Sequence, residues 1–241
     1  METKKFTLIE LLVVVAIIGI LASLLLPVLG KAREKGKAAV CKSNQKQLAI
    51  AFYMYMDDND GMAPLCGTRY QWNDYLALYD GRDHVPHAAK YTAAPISSDQ
   101  YGEAKIYGCP SSDVGTPTNA SILSYTYFRY DGGGMNRGAA TWSQSNMGTY
   151  SVQLSTVTDA SSSILLHEYW DFGNRVGRNW GSAIDFRYIF DNPNKRGHFQ
   201  DTGKSTYLMA DGSVHSLTFG STLMGIGARN DTRETMWDLH K

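Results

Sequence analysis

The 241-residue chain has little with which to do covalent chemistry. Gly203-Lys204-Ser205-Thr206 has the look of the end of a phosphate-binding loop, but such a loop needs a glycine five residues before Gly203. His198 occupies that place, and Gly197 is one position too far away. His167-Glu168 lacks the second histidine of a zinc protease and has Asp171 in its place. Ser43 and Lys46 have the spacing of a serine–lysine pair, yet they lie in a basic helical stretch without the partner motifs. Gly132-Gly133-Gly134 follows an aromatic stretch and reads as a flexible turn. Cysteine is scarce: Cys41, Cys66 and Cys109 show no paired-ligand spacing of a zinc site. An excess of positive charge is missing too, with 23 basic and 23 acidic residues overall. Residues 57–241 hold 20 acids and 15 bases, the reverse of a nucleic-acid binder. The expectation is a chain that is not an enzyme, needs no cofactor and binds no nucleic acid.

Charge is also absent from Leu11 to Leu26, where Ser23 is the one polar side chain. The surrounding run, Phe6 to Leu29, is long enough to cross a bilayer, since a hydrocarbon core about 30 Å thick needs roughly 20 apolar residues in helical form. Glu10 stands near its front edge. A carboxylate there costs several kcal/mol unless something offsets it. A cleaved secretory signal has a shorter apolar core and a small-residue site after it. This core instead runs through Pro27 into Lys31-Ala32-Arg33-Glu34-Lys35-Gly36-Lys37. A plain membrane anchor is the simplest reading that remains.

Proline is missing from Lys31 to Met56, and Gly36 is the sole glycine there, so the helix is expected to continue. Ala32, Gly36, Val40, Asn44, Leu48, Phe52 and Met56 recur every fourth residue, flanked by Ala39, Ala51 and Tyr55. They approximate an apolar face. Lys31, Arg33, Lys35, Lys37, Lys42 and Lys46 load the opposite one. The helix should stop at Asp57-Asp58-Asn59-Asp60-Gly61, with Pro64 just beyond. From Phe6 to Met56 such a helix would be roughly 75 Å long.

Downstream, no long helical pattern appears. Ser124 to Tyr130, Ser163 to Tyr169, Thr206 to Ala210 and Ser213 to Leu217 are strand-like. Asp211-Gly212 between the last two is a hairpin turn signal. The expected fold class is α+β, a long N-terminal helix packed on an antiparallel sheet with large loops. About 180 residues suffice for one head domain with its own core. Tyr125, Tyr127, Tyr130, Trp142, Trp170, Trp180 and Trp237 are either core rings or an exposed platform for glycans or surfaces. In the second case the chain would be a membrane-anchored adhesion module. Three pairings of the cysteines are open if the head lies in an oxidising compartment.

Phe6-Thr7-Leu8-Ile9-Glu10 and the apolar stretch behind it resemble the N-terminus of type IV pilins and type II secretion pseudopilins. The resemblance implies a leader of residues 1–5 and cleavage between Lys5 and Phe6 by a prepilin peptidase. It implies N-methylation of Phe6 and a fifth mature residue, Glu10, that pairs with the α-amine of a neighbouring subunit. Pro27 falls where the family has a helix-kinking proline. The peptidase usually meets glycine before the scissile bond, and this chain has Lys5. The resemblance implies residues 6–29 as the membrane and assembly half of the helix, 30–60 as its amphipathic half and 61–241 as a β-rich head. The other expected partners are further pilin or pseudopilin subunits, the inner-membrane assembly machinery and the membrane itself. The expected location is the bacterial inner membrane, crossed once, with the head periplasmic or at the surface. The positive-inside rule alone, read from Lys31, Arg33, Lys35 and Lys37, would turn the head inward. The family orientation is opposite, and long domains translocate largely regardless of flanking charge.

A subgroup of such proteins carries a C-terminal histidine, nine residues and Asp-Gly. His198 and Asp211-Gly212 resemble this signature with a gap three residues longer. Cys109-Pro110-Ser111 and the helical stretch from Cys41 to Leu48 resemble two other subgroup motifs, which implies a Cys41–Cys109 disulfide. The subgroup match implies structural roles for His198 and Asp211. Asp57, Asp58 and Asp60 offer the hard oxygen ligands that calcium takes in some pseudopilin heads. The order of ligands in an EF-hand is missing, and a solvated turn is the favoured reading.

Overall fold

A computed structural model of the chain describes residues 7–64, 72–82, 105–111, 125–129, 151–169, 183–185, 204–224 and 235–239. Its dominant element is helix α1, Leu8–Asp58, of 51 residues. Thr7 starts it as an extended N-cap at φ −87 and ψ 150. Asn59 ends it, with Asp60 at φ 53 and Gly61 at φ 74 reversing the chain. The Gly61 N–H donates to the Met56 carbonyl at 2.8 Å, and Asn59 Nδ2 donates to the Tyr55 carbonyl at 2.7 Å. These bonds satisfy carbonyls that the last turn would otherwise leave open.

The buried face of α1 consists of Ala38, Cys41, Asn44, Gln45, Leu48, Ala49, Ala51, Phe52 and Met56. It differs from the fourfold series read from the sequence, because Ala32, Gly36, Ala39 and Val40 are exposed. Steps of four residues advance 400°, so a strict four-residue series drifts about 40° per step around a helix with 3.6 residues per turn. The real face alternates steps of three and four, from Ala38 through Cys41, Gln45, Leu48 and Phe52.

That face packs on a five-stranded sheet ordered β3-β1-β2-β4-β5. The strands are β1 Tyr125–Arg129, β2 Ile164–Glu168, β3 Ala183–Asp185, β4 Lys204–Met209 and β5 Val214–Thr218. Pairings β1–β2, β2–β4 and β4–β5 are antiparallel, as expected. The edge strand β3 differs, pairing parallel to β1 through Tyr127↔Ala183 and Phe128↔Ile184. Its three residues are too few to show the alternation by which a strand is recognised in sequence. The α+β class stands, with a mixed sheet in place of a purely antiparallel one.

From Tyr207 onward, the side chains of β4 and the residue after it alternate between two cores. Leu208 and Ala210 join the core under α1, with Leu48, Phe52, Trp72 and Tyr107. Tyr207 and Met209 join a second core with Ile164, Tyr169, Phe219 and Trp237 on the other face. In β2 the register slips between Ile164 and Leu166 against β4, a bulge that turns Leu165 and Leu166 into the same core. Two short α-helices and three single-turn 3-10 helices, Lys105–Tyr107, Leu154–Thr156 and Ala160–Ser162, complete the described fold. Helix α2, Trp72–Tyr75, stacks Trp72 on Phe52 with centroids 5.4 Å apart. Helix α3, Phe219–Thr222, receives a bond from Trp237 Nε1 to Thr222 Oγ1 at 2.8 Å.

Candidate functional site: the N-terminal helix and its seat on the head

The front half of α1 touches nothing else among the described residues. Sixteen large apolar side chains from Leu8 to Leu29 are exposed, from 47% at Val13 and Val14 to 83% at Leu8. The helix is long and apolar enough to cross a membrane. An apolar stripe of this size is unstable in water and requires lipid or other helices.

Glu10 sits in the first turn of this stripe and belongs to a capping box. Its N–H donates to Thr7 Oγ1 at 3.3 Å, while its Oε2 accepts from the Thr7 N–H at 2.8 Å and from the Thr7 hydroxyl at 2.7 Å. The box satisfies open donors of the helix start and places the carboxylate at the positive end of the helix dipole. Pro27 lies inside α1, which continues through it. Having no N–H, Pro27 leaves the Ser23 carbonyl without its helical donor. Ser23 turns its hydroxyl back to the Ile20 carbonyl at 2.7 Å. Lys5 and Phe6 lie outside the described residues.

The rear half of α1 is fastened to the head at several points. Cys41 and Cys109 form a disulfide with Cα atoms 5.1 Å apart. Beside it, Asn44 Nδ2 donates to the Gly108 carbonyl at 2.9 Å, and the Tyr125 hydroxyl donates to the Cys41 carbonyl at 3.1 Å. Burial pushes the Tyr125 phenol well up, and the nearby Glu168 carboxylate adds to that shift. Cys66 lies outside the described residues.

The Asp211-Gly212 turn is a second fastening. Asp211 Oδ1 accepts the Ser213 N–H at 2.8 Å, and the Gly212 N–H donates to the Met209 carbonyl at 3.0 Å. Burial would raise the Asp211 carboxyl, but the Ser213 bonds and the His215 and Lys46 charges outweigh it and hold it low. From α1, Lys46 Nζ reaches the Gly212 carbonyl at 3.0 Å and the Tyr53 hydroxyl reaches the Ala210 carbonyl at 2.7 Å. Gly212 is required twice over. Its φ is +80, and a Cβ there would stand 2.9 Å from the Tyr53 ring. Lys46 and Tyr53 are seven residues apart on one helix face, a pair the sequence reading did not join to this turn. His198 lies outside the described residues.

The acidic residues at the end of α1 belong to its C-terminal turn. Asp58 Oδ2 accepts the Tyr79 hydroxyl at 2.9 Å, and the Asp60 carbonyl accepts Gln153 Nε2 at 3.3 Å. Asp57 and Asp58 are exposed. Among the described residues, Asp57, Asp58 and Asp60 form no convergent ligand group. Of the seven rings considered as a binding platform, Tyr125 and Trp237 are fully buried. The other five side chains lie outside the described set.

Two buried groups escaped the sequence reading. The Arg82 guanidinium bonds Asp80, the Asn73 carbonyl and the Tyr107 hydroxyl beneath α2. His167, adjacent to Glu168 in β2, is fully buried with neither ring nitrogen bonded. No composition signal marks either, because both depend on which strand and loop fold over them.

No protein-family profile matches the chain. No solved structure matches it. Two curated relatives do. The type IV major pilin protein PilA of Myxococcus xanthus DK1622 is 40% identical over 88 residues, covering 33% of this chain and 40% of that protein. The type II secretion system core protein G of Pseudomonas aeruginosa PAO1 is 46% identical over 58 residues, covering 24% of this chain and 41% of that protein. The chain thus spans about two-fifths of the length of these relatives. Over this part of its length, with the Phe6–Glu10 segment and the exposed apolar helix behind it, the chain is similar to a type IV pilin and to a type II secretion pseudopilin.

Proposed function

We propose that the chain is a non-enzymatic structural subunit of a pilus or pseudopilus-like filament of the type IV pilus or type II secretion class. The observation that carries this reading is the front half of α1, apolar on all sides, exposed and without contact to the head among the described residues, and bearing one carboxylate at its tip. Residues 6–29 serve first as a membrane anchor and then as packing surface among other subunits, with 30–60 carrying the head and 61–241 forming it. A prepilin peptidase removes residues 1–5 and exposes the Phe6 amine for methylation. In the filament Glu10 pairs with the amine of a neighbour, which offsets the burial of both charges and fixes axial register. The precursor crosses the inner membrane once with the head outside, despite the basic residues that follow the span. Mass spectrometry of the N-terminus, with the protein expressed in membranes with and without a prepilin peptidase, tests this. A species beginning at methylated Phe6 only when the peptidase is present supports it. Retention of residues 1–5 in both samples refutes it and leaves a membrane-anchored head.

A further inference from the structure

The disulfide has an unusual neighbour. Sγ of Cys41, Sγ of Cys109 and a carboxylate oxygen of Glu168 all lie within 4.8 Å of one another, and all three residues are buried. Each is held by bonds independent of the S–S link. Cys41 belongs to α1, and its carbonyl accepts the Tyr125 hydroxyl. Cys109 follows Gly108, whose carbonyl is held by Asn44. Glu168 Oε2 accepts the Thr206 N–H at 3.2 Å, and the Thr206 carbonyl accepts Gln45 Nε2 at 3.4 Å. Gln45 is fully buried, one turn beyond Cys41, and its Oε1 finds no partner. The cluster therefore brings two sulfurs and a carboxylate together, each residue also held by contacts other than the S–S bond.

We infer that the thiol form of this chain binds a zinc ion through Cys41, Cys109 and Glu168, before the disulfide closes. Thiolates and a carboxylate are donors that zinc accepts in tetrahedral sites, with water able to fill the fourth position. Charge favours the exchange. With Glu168 counted as a carboxylate, the disulfide pocket carries one negative charge, and zinc with two thiolates and the carboxylate carries the same. The metal therefore enters without changing the net charge buried in the core. Binding converts two thiols and Zn²⁺ to a zinc dithiolate with release of two protons. One of the two cysteine thiolates then attacks a sulfur of a disulfide oxidant, breaking its S–S bond and forming a mixed disulfide that the second thiolate resolves. The Cys41–Cys109 bond forms, the oxidant leaves as a dithiol after taking up two protons, and Zn²⁺ departs. Metal and disulfide are successive staples between α1 and residues 105–111.

The test uses the full chain in detergent with Cys66→Ser, so that only these two thiols remain. It is reduced with a phosphine without oxygen, desalted and titrated with cobalt(II). The expected result is one equivalent bound with thiolate-to-metal charge-transfer absorption, displaced by zinc, with both thiols protected from a thiol reagent. Glu168→Gln should weaken binding by more than the roughly 10–100-fold that loss of a supporting partner costs. In the unsubstituted pocket, zinc should slow disulfide formation by a disulfide oxidant, a readout that stands if Glu168→Gln fails to fold. Absence of the charge-transfer band overturns the assignment. So does cobalt affinity unchanged in Glu168→Gln, or an oxidation rate indifferent to zinc.

Discussion

His167 should make the head acid-labile, and Phe at that position should remove the lability. The imidazole lies at the edge of Trp237, with centroids 5.0 Å apart, and 6.4 Å from Tyr169. Both of its nitrogens are buried without a partner. Burial depresses its pKa from 6.5 to about 3. The folded state therefore refuses a proton that the unfolded chain accepts. Stability from this group is complete above pH 6.5 and is lost as pH falls toward 3. At 1.36 kcal/mol per unit the full loss is about 5 kcal/mol, of which about 2–3 kcal/mol falls between pH 7 and pH 4.5. His167→Phe keeps a ring against Trp237 and cannot titrate. Urea unfolding of the full chain in micelles, followed through tryptophan fluorescence at both pH values, measures the difference. The variant should lose about 2–3 kcal/mol less than the parent on acidification. At pH 7 it should be at least as stable, since two unpaired nitrogens vanish. Parallel acid limbs for the two proteins would refute the reasoning, because carboxylate titration is common to both.

Three further perturbations probe the seat and the tip of α1. Gly212→Ala places a Cβ 2.9 Å from the Tyr53 ring at a φ of +80, and should cost roughly 1–3 kcal/mol in the same unfolding assay. A loss near zero would mean that the hairpin can back away from the helix. Replacing Cys41 and Cys109 together by serine opens a link across a sequence separation of 68 and should cost about 4 kcal/mol by loop entropy, seen as a lower urea midpoint. Glu10→Gln removes the charge from the tip and should leave membrane insertion intact while sedimentable filament falls sharply in cells. Undiminished filament would take the register role away from Glu10.

How far the sequence could be read depended on the range of the interactions involved. The apolar run and its length are set by neighbours a few residues apart, and so is the stop near Asn59. Those features were legible. The hairpin at Asp211-Gly212 was legible for the same reason: an αL glycine after an aspartate is a local requirement. The buried face of α1 was read only in part, since Val40 fits a four-residue series as well as Cys41 fits the true one. Only the sheet decides between them. Strand β3 was invisible because its identity lies in its pairing with β1 rather than in its own three residues.

The seat of α1 follows the same division. Nothing near Tyr53 in the chain predicts that its hydroxyl caps the Ala210 carbonyl, 157 residues away. Yet the requirement for Gly212 is half explained by that contact, because the ring occupies the space a side chain would need. A turn glycine in isolation needs only its φ. Here it also lets the hairpin lie flush on the helix, with Lys46 closing the carbonyl on the far side. The head is thus fixed to the rear of α1 by groups far apart in the chain, which leaves the front half as a long apolar stretch of the helix without a partner among the described residues. Under the proposed filament role, assembly and head identity would vary separately: changes before residue 30 would act on what surrounds the helix, and changes after it on how firmly the head is carried.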